Sequence, residues 1–276
     1  SLAESQNVDL SKSVFYTDSE DDIALVNHIG FPVAINPTDV LEKRCLEQDI
    51  PIHRFSSRKP PSLIQYIRSI GVYTSLVSTW LGGLSVAKMT RSPEEGRNFM
   101  VATFADVACA LAGLKLNIKG KEHLVPERPC VVIFNHQSQA DGIIIMKLLK
   151  NSFAGIGKDS LVKFPLIGDA YVYAGIVPID RANSQSAIEA MQPLVDVIKN
   201  DGRSVALAPE GTRSIGTKPG TFKKGAFHIA MQAGVPVLPI VIHNGIDAQP
   251  KGEFIYRSSE IDIEILPPVS SDDWTK

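Results

Sequence analysis

The run Asn135-His136-Gln137-Ser138-Gln139-Ala140-Asp141 sets an imidazole five residues ahead of a carboxylate, just after the apolar stretch 130–134. A histidine held by a carboxylate through one ring nitrogen can take a proton from a hydroxyl with the other. On one regular helix a five-residue offset turns side chains by about 500°, so the two would not share a face. The pair works only if His136 lies in a turn after a strand and Asp141 near the start of the following helix. A plainer reading of the same spacing is a capping aspartate beside a structural histidine.

A second segment, Ala208-Pro209-Glu210-Gly211-Thr212-Arg213-Ser214, follows another apolar run. Gly211 lets the backbone approach a ligand closely. Arg213 offers paired donors suited to a phosphate, and Glu210 can bind a hydroxyl or fix Arg213. Taken alone, this is equally a polar turn. In Gly175-Ile176-Val177-Pro178-Ile179-Asp180-Arg181 a buried strand ends in an Asp-Arg pair. Arg181 is a second phosphate candidate or half of a surface ion pair. Lys158 is a third cation or a solvated lysine. The run Val235-Pro236-Val237-Leu238-Pro239-Ile240 reads as a strand shaping the core or an acyl groove.

These segments need elements to position them. Strands are expected near 115–119, 130–134, 153–157, 176–179, 204–208, 236–242 and 261–266, and helices near 140–150, 184–200 and 222–233. The alternation predicts an α/β sheet with helical cover. Residues 69–87 carry no charged side chain, but serines, threonines and glycines dilute the run. It fits a membrane-seated or re-entrant helix, a packed soluble helix or a full crossing. A second helix starts at the cap Ser92, with Pro93, Glu94 and Glu95 in its first turn, and runs to Ala112 before Gly113. Upstream, a strand at 13–16, an acidic loop, a helix at 23–28 and a strand at 31–37 make a β-α-β unit, and 56–62 is the best linker.

The chain has 276 residues, 44% hydrophobic and 21% charged, so a packed core is expected and disorder is not. Its net charge of −2 argues against a nucleic-acid partner. Residues 1–59 hold 6 basic and 10 acidic side chains, and the remainder 22 and 20, which suggests two units of different origin. Cys45, Cys109 and Cys130 are too scattered for a disulfide framework or zinc site, so a reducing compartment is the default. Nothing in the opening residues reads as a signal peptide.

The four segments occur together and in order. On 135–141, 175–181, 209–214 and 235–239 the chain resembles the glycerolipid acyltransferase family, which includes 1-acylglycerol-3-phosphate acyltransferases, over roughly residues 115–266. Pro178 and Ala208 stand where many members carry an aromatic or aliphatic residue and a phenylalanine. The resemblance implies transfer of a fatty acyl group from acyl-CoA or acyl carrier protein to the free hydroxyl of 1-acylglycerol 3-phosphate, giving phosphatidate. His136 would be the base and Asp141 its partner. Arg181, Glu210, Gly211, Thr212 and Arg213, with Lys158, would hold the acceptor. No metal or cofactor is implied beyond the acyl donor, because a thioester is already activated. The N-terminal amides of the helix at 140–150 offer oxyanion donors. Partners would be membrane lipids and lysophospholipid, at the cytoplasmic face of a membrane. Acceptors such as glycerol 3-phosphate or another lysolipid or glycolipid, a thioesterase, and a non-catalytic lipid-binding module are the alternatives.

The front segment, from Tyr16-Thr17-Asp18-Ser19-Glu20-Asp21-Asp22 to Asn36-Pro37, is similar to the C-terminal end of a haloacid-dehalogenase-like phosphatase of the phosphoserine-phosphatase type. Asp18 and Asp22 would match its magnesium-binding acidic block. The Asp-x-Asp-x-Thr nucleophile loop is not in the chain, so phosphatase activity is not expected. The piece reads as the tail of a fused domain cut at Ser1. The expected architecture is an α/β mixed sheet flanked by helices, with an N-terminal membrane-associating helix pair, preceded by a partial Rossmann-like β-α-β fragment. Its domains would be 1–58, 62–113 and 114–276.

Overall fold

The computed structural model describes residue 6 and residues 8–54, 60–124, 129–179, 191–214 and 218–274, with backbone alone at 158, 159 and 161. The chain divides into two compact units, Ser1–Pro60 and Pro61–Lys276. The division falls within the expected linker 56–62, of which 56–59 lie outside the described residues. Residues 62–113, expected as a separate element, share one unit with the residues that follow.

In the first unit, β1 (Val14–Thr17), α1 (Ile23–Val26), β2 (Phe31–Ile35), α2 (Asp39–Glu47) and β3 (Ile52–His53) build a parallel sheet of order β1-β2-β3. Its core is small, centred on Ala34, Leu41 and Cys45. Helix α2 and strand β3 escape the sequence reading; in α2 only Leu41 and Cys45 are buried, amid charge. Asp18 and Asp22 follow β1, and Thr17 Oγ1 donates to Asp22 Oδ2 at 2.7 Å. Among the described residues no group of three or more His, Cys, Asp or Glu could hold a metal ion.

The second unit opens with α3 (Leu63–Thr90) and α4 (Pro93–Ala112). Ser62 and Gln65 cap α3 reciprocally, at 3.4 and 2.8 Å. Ser92 caps α4, and Gly113 ends it in the left-handed region at φ 72. The two helices meet where both lack side chains: a β-carbon at Gly83 would lie 2.6 Å from the Gly96 carbonyl oxygen. By length and composition α3 is apolar enough to cross a membrane, and only 22% of its apolar window is buried. Leu63, Ile64, Ile67 and Ile70 are all exposed. The hydroxyls that dilute the run turn back on their own helix, as Thr74 to Ile70 at 3.0 Å and Thr79 to Ser75 at 2.7 Å show. Bonded that way, they do not need water.

After α4 come β4 (Leu114–Lys119), β5 (Val131–Phe134), α5 (Ala140–Leu149), β6 (Phe153–Lys158), α6 (Asp159–Val162), α7 (Ile167–Tyr173), β7 (Ile176–Ile179), α8 (Gln192–Asp201), β8 (Ser204–Leu207), α9 (Gly225–Ala233), β9 (Val237–Ile242), α10 (Gly245–Ala248) and β10 (Ser259–Ile265). All seven expected strands form, each within two residues of the reading. Residues 184–190 of the expected helix 184–200 lie outside the described residues. The sheet order is β4-β10-β9-β5-β8-β6-β7. Strands β9, β5, β8, β6 and β7 are parallel, while β10 runs against β9 and carries β4 with it. Central β8 is buried at all four positions, as a parallel strand covered on both faces must be.

Candidate active site

Five neighbouring parallel strands deliver their C-terminal ends to one sheet edge, where open α/β sheets form their ligand crevices. His136 lies two residues beyond β5. The segment Pro209–Ser214 follows β8, the neighbour of β5. Lys158 closes β6 next door, with its side chain outside the described residues. β7 stops at Ile179, and Asp180 and Arg181 beyond it lie outside the described residues. The topology thus brings the 135–141 and 209–214 segments to one edge, at which β6 and β7 also end, while 235–239 opens β9 at the other.

Asp141 sits in the first turn of α5, is 1% exposed, and turns back over the loop. Its Oδ2 accepts from His136 Nδ1 at 2.9 Å, Gln137 N at 2.9 Å and Ser138 N at 2.8 Å. The competing readings of this spacing coincide, because the capping carboxylate is also the one that holds the imidazole. A carboxylate acceptor keeps the proton on Nδ1 and leaves Nε2 as the proton acceptor. The His136 side chain is 23% exposed, and Nε2 has no hydrogen-bond partner among the described residues. Asp141 Oδ1 is buried without a partner and faces Gly245, where a β-carbon would come within 2.9 Å.

The loop is braced from three directions. Asn135 exchanges two hydrogen bonds with the Ile242 backbone, at 2.9 and 2.7 Å. Ser138 Oγ donates to the Gln249 carbonyl at 2.9 Å and accepts from Ala140 N at 3.1 Å. The His136 N–H donates to Glu210 Oε1 at 2.7 Å, and the His136 carbonyl accepts from Ser214 N at 2.8 Å. Some groups expected to meet substrate already have protein partners. Glu210, expected at the acceptor, is 4% exposed, and its Oε2 accepts from Ser214 Oγ and from Gly220 N at 2.6 Å. Both of its oxygens already serve the protein. Of the amides leading into α5, those of 137 and 138 serve Asp141 and that of 140 serves Ser138. Burial alone raises the Glu210 carboxyl, but the Ser214, Gly220 and His136 donors outweigh it and hold it below the usual glutamate value.

Beside this satisfied loop lies unpaired positive charge. Arg213 Nη1 is buried with no hydrogen-bond partner among the described residues. Its charge reaches Tyr256, whose phenol burial pushes well above the usual value, with Tyr73 and Tyr171 adding and Arg213 opposing. Gly211 takes φ 72, and a β-carbon there would lie 3.2 Å from Lys223 Nζ. Thr212 is exposed. Lys223 was missed in the sequence. Its signal is Lys223-Lys224 at the start of α9, where the helix dipole disfavours cations unless an anion joins them. No thiol competes for the chemistry: all three cysteines are buried, and burial takes Cys109 to about 11.

With this geometry in hand, comparison with known proteins is specific. Residues 115–243 match the family model described as Acyltransferase. The chain is similar to the 1-acyl-sn-glycerol-3-phosphate acyltransferase of Limnanthes alba, 36% identical over 165 residues, covering 60% of this chain and 58% of that protein. It is similar to the Homo sapiens 1-acyl-sn-glycerol-3-phosphate acyltransferase alpha, 34% identical over 60% of this chain and 58% of that protein. It thus spans under two thirds of these relatives' length. In three dimensions it resembles the 1-acyl-sn-glycerophosphate (LPA) acyltransferase PlsC of Thermotoga maritima, with TM-score 0.66 and 26% identity over 77% of this chain and 88% of that one.

Proposed function

We propose that the chain transfers a fatty acyl group from acyl-CoA or acyl carrier protein to the free hydroxyl of 1-acylglycerol 3-phosphate, producing phosphatidate. One observation carries the reading: a carboxylate-held imidazole with a free Nε2 stands at the same sheet edge as an arginine whose buried Nη1 has no partner among the described residues. In this reading Nε2 of His136 takes the acceptor's hydroxyl proton as the oxygen attacks the thioester carbonyl. The tetrahedral adduct collapses, the C–S bond breaks, and the proton passes to the departing sulfur. Asp141 fixes the ring and stabilises the transient imidazolium. Arg213 and Lys223 grip the phosphate, and Lys158 and Arg181 join them. Holding alcohol and thioester together supplies much of the rate, since no step needs a metal or a covalent enzyme intermediate. The uncovered apolar face of α3 supports seating on a membrane, where the lipid acceptor resides, and we assign it to the cytoplasmic face.

The test is a transfer assay on the purified chain with an acyl thioester, following thiol release and lipid product. Release that depends on lysophosphatidate, with phosphatidate formed, is expected. Release indifferent to any acceptor would mean a thioesterase, and preference for glycerol 3-phosphate or another lysolipid would move the acceptor. No release at all would leave a lipid-binding module.

A further inference from the structure

The proposed chemistry leaves Glu210 without a role, yet it is a carboxylate 4% exposed at the centre of the site. Its acceptors are divided among three chain segments. Oε1 takes the His136 N–H at 2.7 Å, where the chain leaves β5 and that amide would otherwise lack a strand partner. Oε2 takes the Gly220 N–H at 2.6 Å and the Ser214 hydroxyl. Ser214 N returns to the His136 carbonyl at 2.8 Å, so both polar groups of the histidine backbone are tied to the segment that carries Arg213. A buried anion satisfied by protein donors makes a stiff joint, because each bond is charge-assisted and losing any one leaves a buried orphan.

Resting on the acyl-transfer reading, we infer that Glu210 is a positioning residue: it locks the base and the phosphate grip into one unit and does not touch the acceptor. The tie from Ser214 N to the His136 carbonyl then makes the reach from base to phosphate grip a built-in gauge. It admits an alcohol whose hydroxyl lies the right reach from its phosphate.

Glu210→Gln in the full chain tests this. The amide oxygen can still accept from His136 N–H, but the amide nitrogen sets a donor against Gly220 N–H and removes the charge. Turnover should fall by about tenfold or more while the acceptor KM stays within about twofold. A raised KM with unchanged turnover would overturn the inference. His136→Ala keeps the backbone N–H that Glu210 binds and removes only the ring, so a Glu210 that does not touch the acceptor has no aimed base left to disturb. Adding Glu210→Gln to His136→Ala should therefore leave lysophosphatidate affinity unchanged, whereas a loss of about tenfold would make Glu210 a contact residue. Imidazole nitrogen spectra read the joint without any turnover. His136 should show an Nδ1 proton held by Asp141 in the unaltered chain and a weaker Nδ1 hydrogen bond in Glu210→Gln, where the loop is no longer pinned; an unchanged spectrum contradicts the role. If that variant fails to fold, Ser214→Ala removes one donor and keeps the charge, and the same pattern should appear in weaker form. An inactive unaltered chain would sink acyl transfer, while the spectra would still decide on the joint.

Discussion

The two halves of the site are built on opposite principles. Around His136 nearly every polar group is answered by the protein: Asp141 Oδ2 accepts three bonds, Glu210 accepts three, and Asn135 and Ser138 each make two. Arg213 Nη1 is buried without a partner among the described residues, and Lys223 lies beside Gly211, two residues back. A base must be aimed before the substrate arrives, because rotamer freedom in the imidazole reduces the fraction in reactive geometry. A grip must stay unsatisfied until then, because a cation paired with the protein has nothing to offer a phosphate. Six buried side-chain polar atoms lack a partner among the described residues, Asp141 Oδ1 included, and Arg213 Nη1 is the cationic one on the segment tied to the base.

Substitutions on the aimed side should cost turnover. His136→Ala should lower kcat by about 10²- to 10⁴-fold, the usual contribution of a general base, with acceptor affinity nearly unchanged. Asp141→Asn should also lower kcat strongly, because an amide can present a donor to Nδ1 and invert the tautomer. Substitutions on the open side should instead cost affinity. Arg213→Ala should weaken lysophosphatidate by about 1.5–3 kcal/mol, and Arg213→Lys should restore little, since a point charge lacks the planar fork. Equal losses for donor and acceptor would erase the distinction between the halves. Lys223→Ala should show a milder, salt-sensitive loss, roughly 1 kcal/mol, visible as a rise in acceptor KM at low ionic strength.

The smallest effect is on stability. Glu210 titrates lower in the folded chain than in the unfolded one. Its contribution is therefore complete above the usual glutamate value and is lost as pH falls through the lower, folded one. Melting temperature followed downward from pH 6 should drop more for the unaltered chain than for Glu210→Gln. Parallel curves would remove the ionised carboxylate from the joint.

Much of this was legible in the sequence, for identifiable reasons. The strands of the second unit announce themselves because parallel strands buried on both faces are continuous apolar runs, as in Ser204–Leu207 and Val237–Ile242. The spacing of His136 and Asp141 gives the pair once a strand is placed before it. The use of Glu210 could not be read, because it depends on β8 lying beside β5, and strand order is not written locally. Lys223 was hidden for the same reason, being brought beside Gly211 only by the turn before α9. The first unit shows the opposite limit. Its acidic loop has a recognisable pattern, but Asp22 is already engaged by Thr17 and no metal-holding group forms among the described residues.

The most direct test is acyl transfer to lysophosphatidate by the purified chain and by His136→Ala, read as phosphatidate formed per thiol released. One phosphatidate per thiol in the unaltered chain, and a loss of at least about 10²-fold in the variant, is the expected result. Equal turnover by the two, or thiol released without phosphatidate, would contradict it.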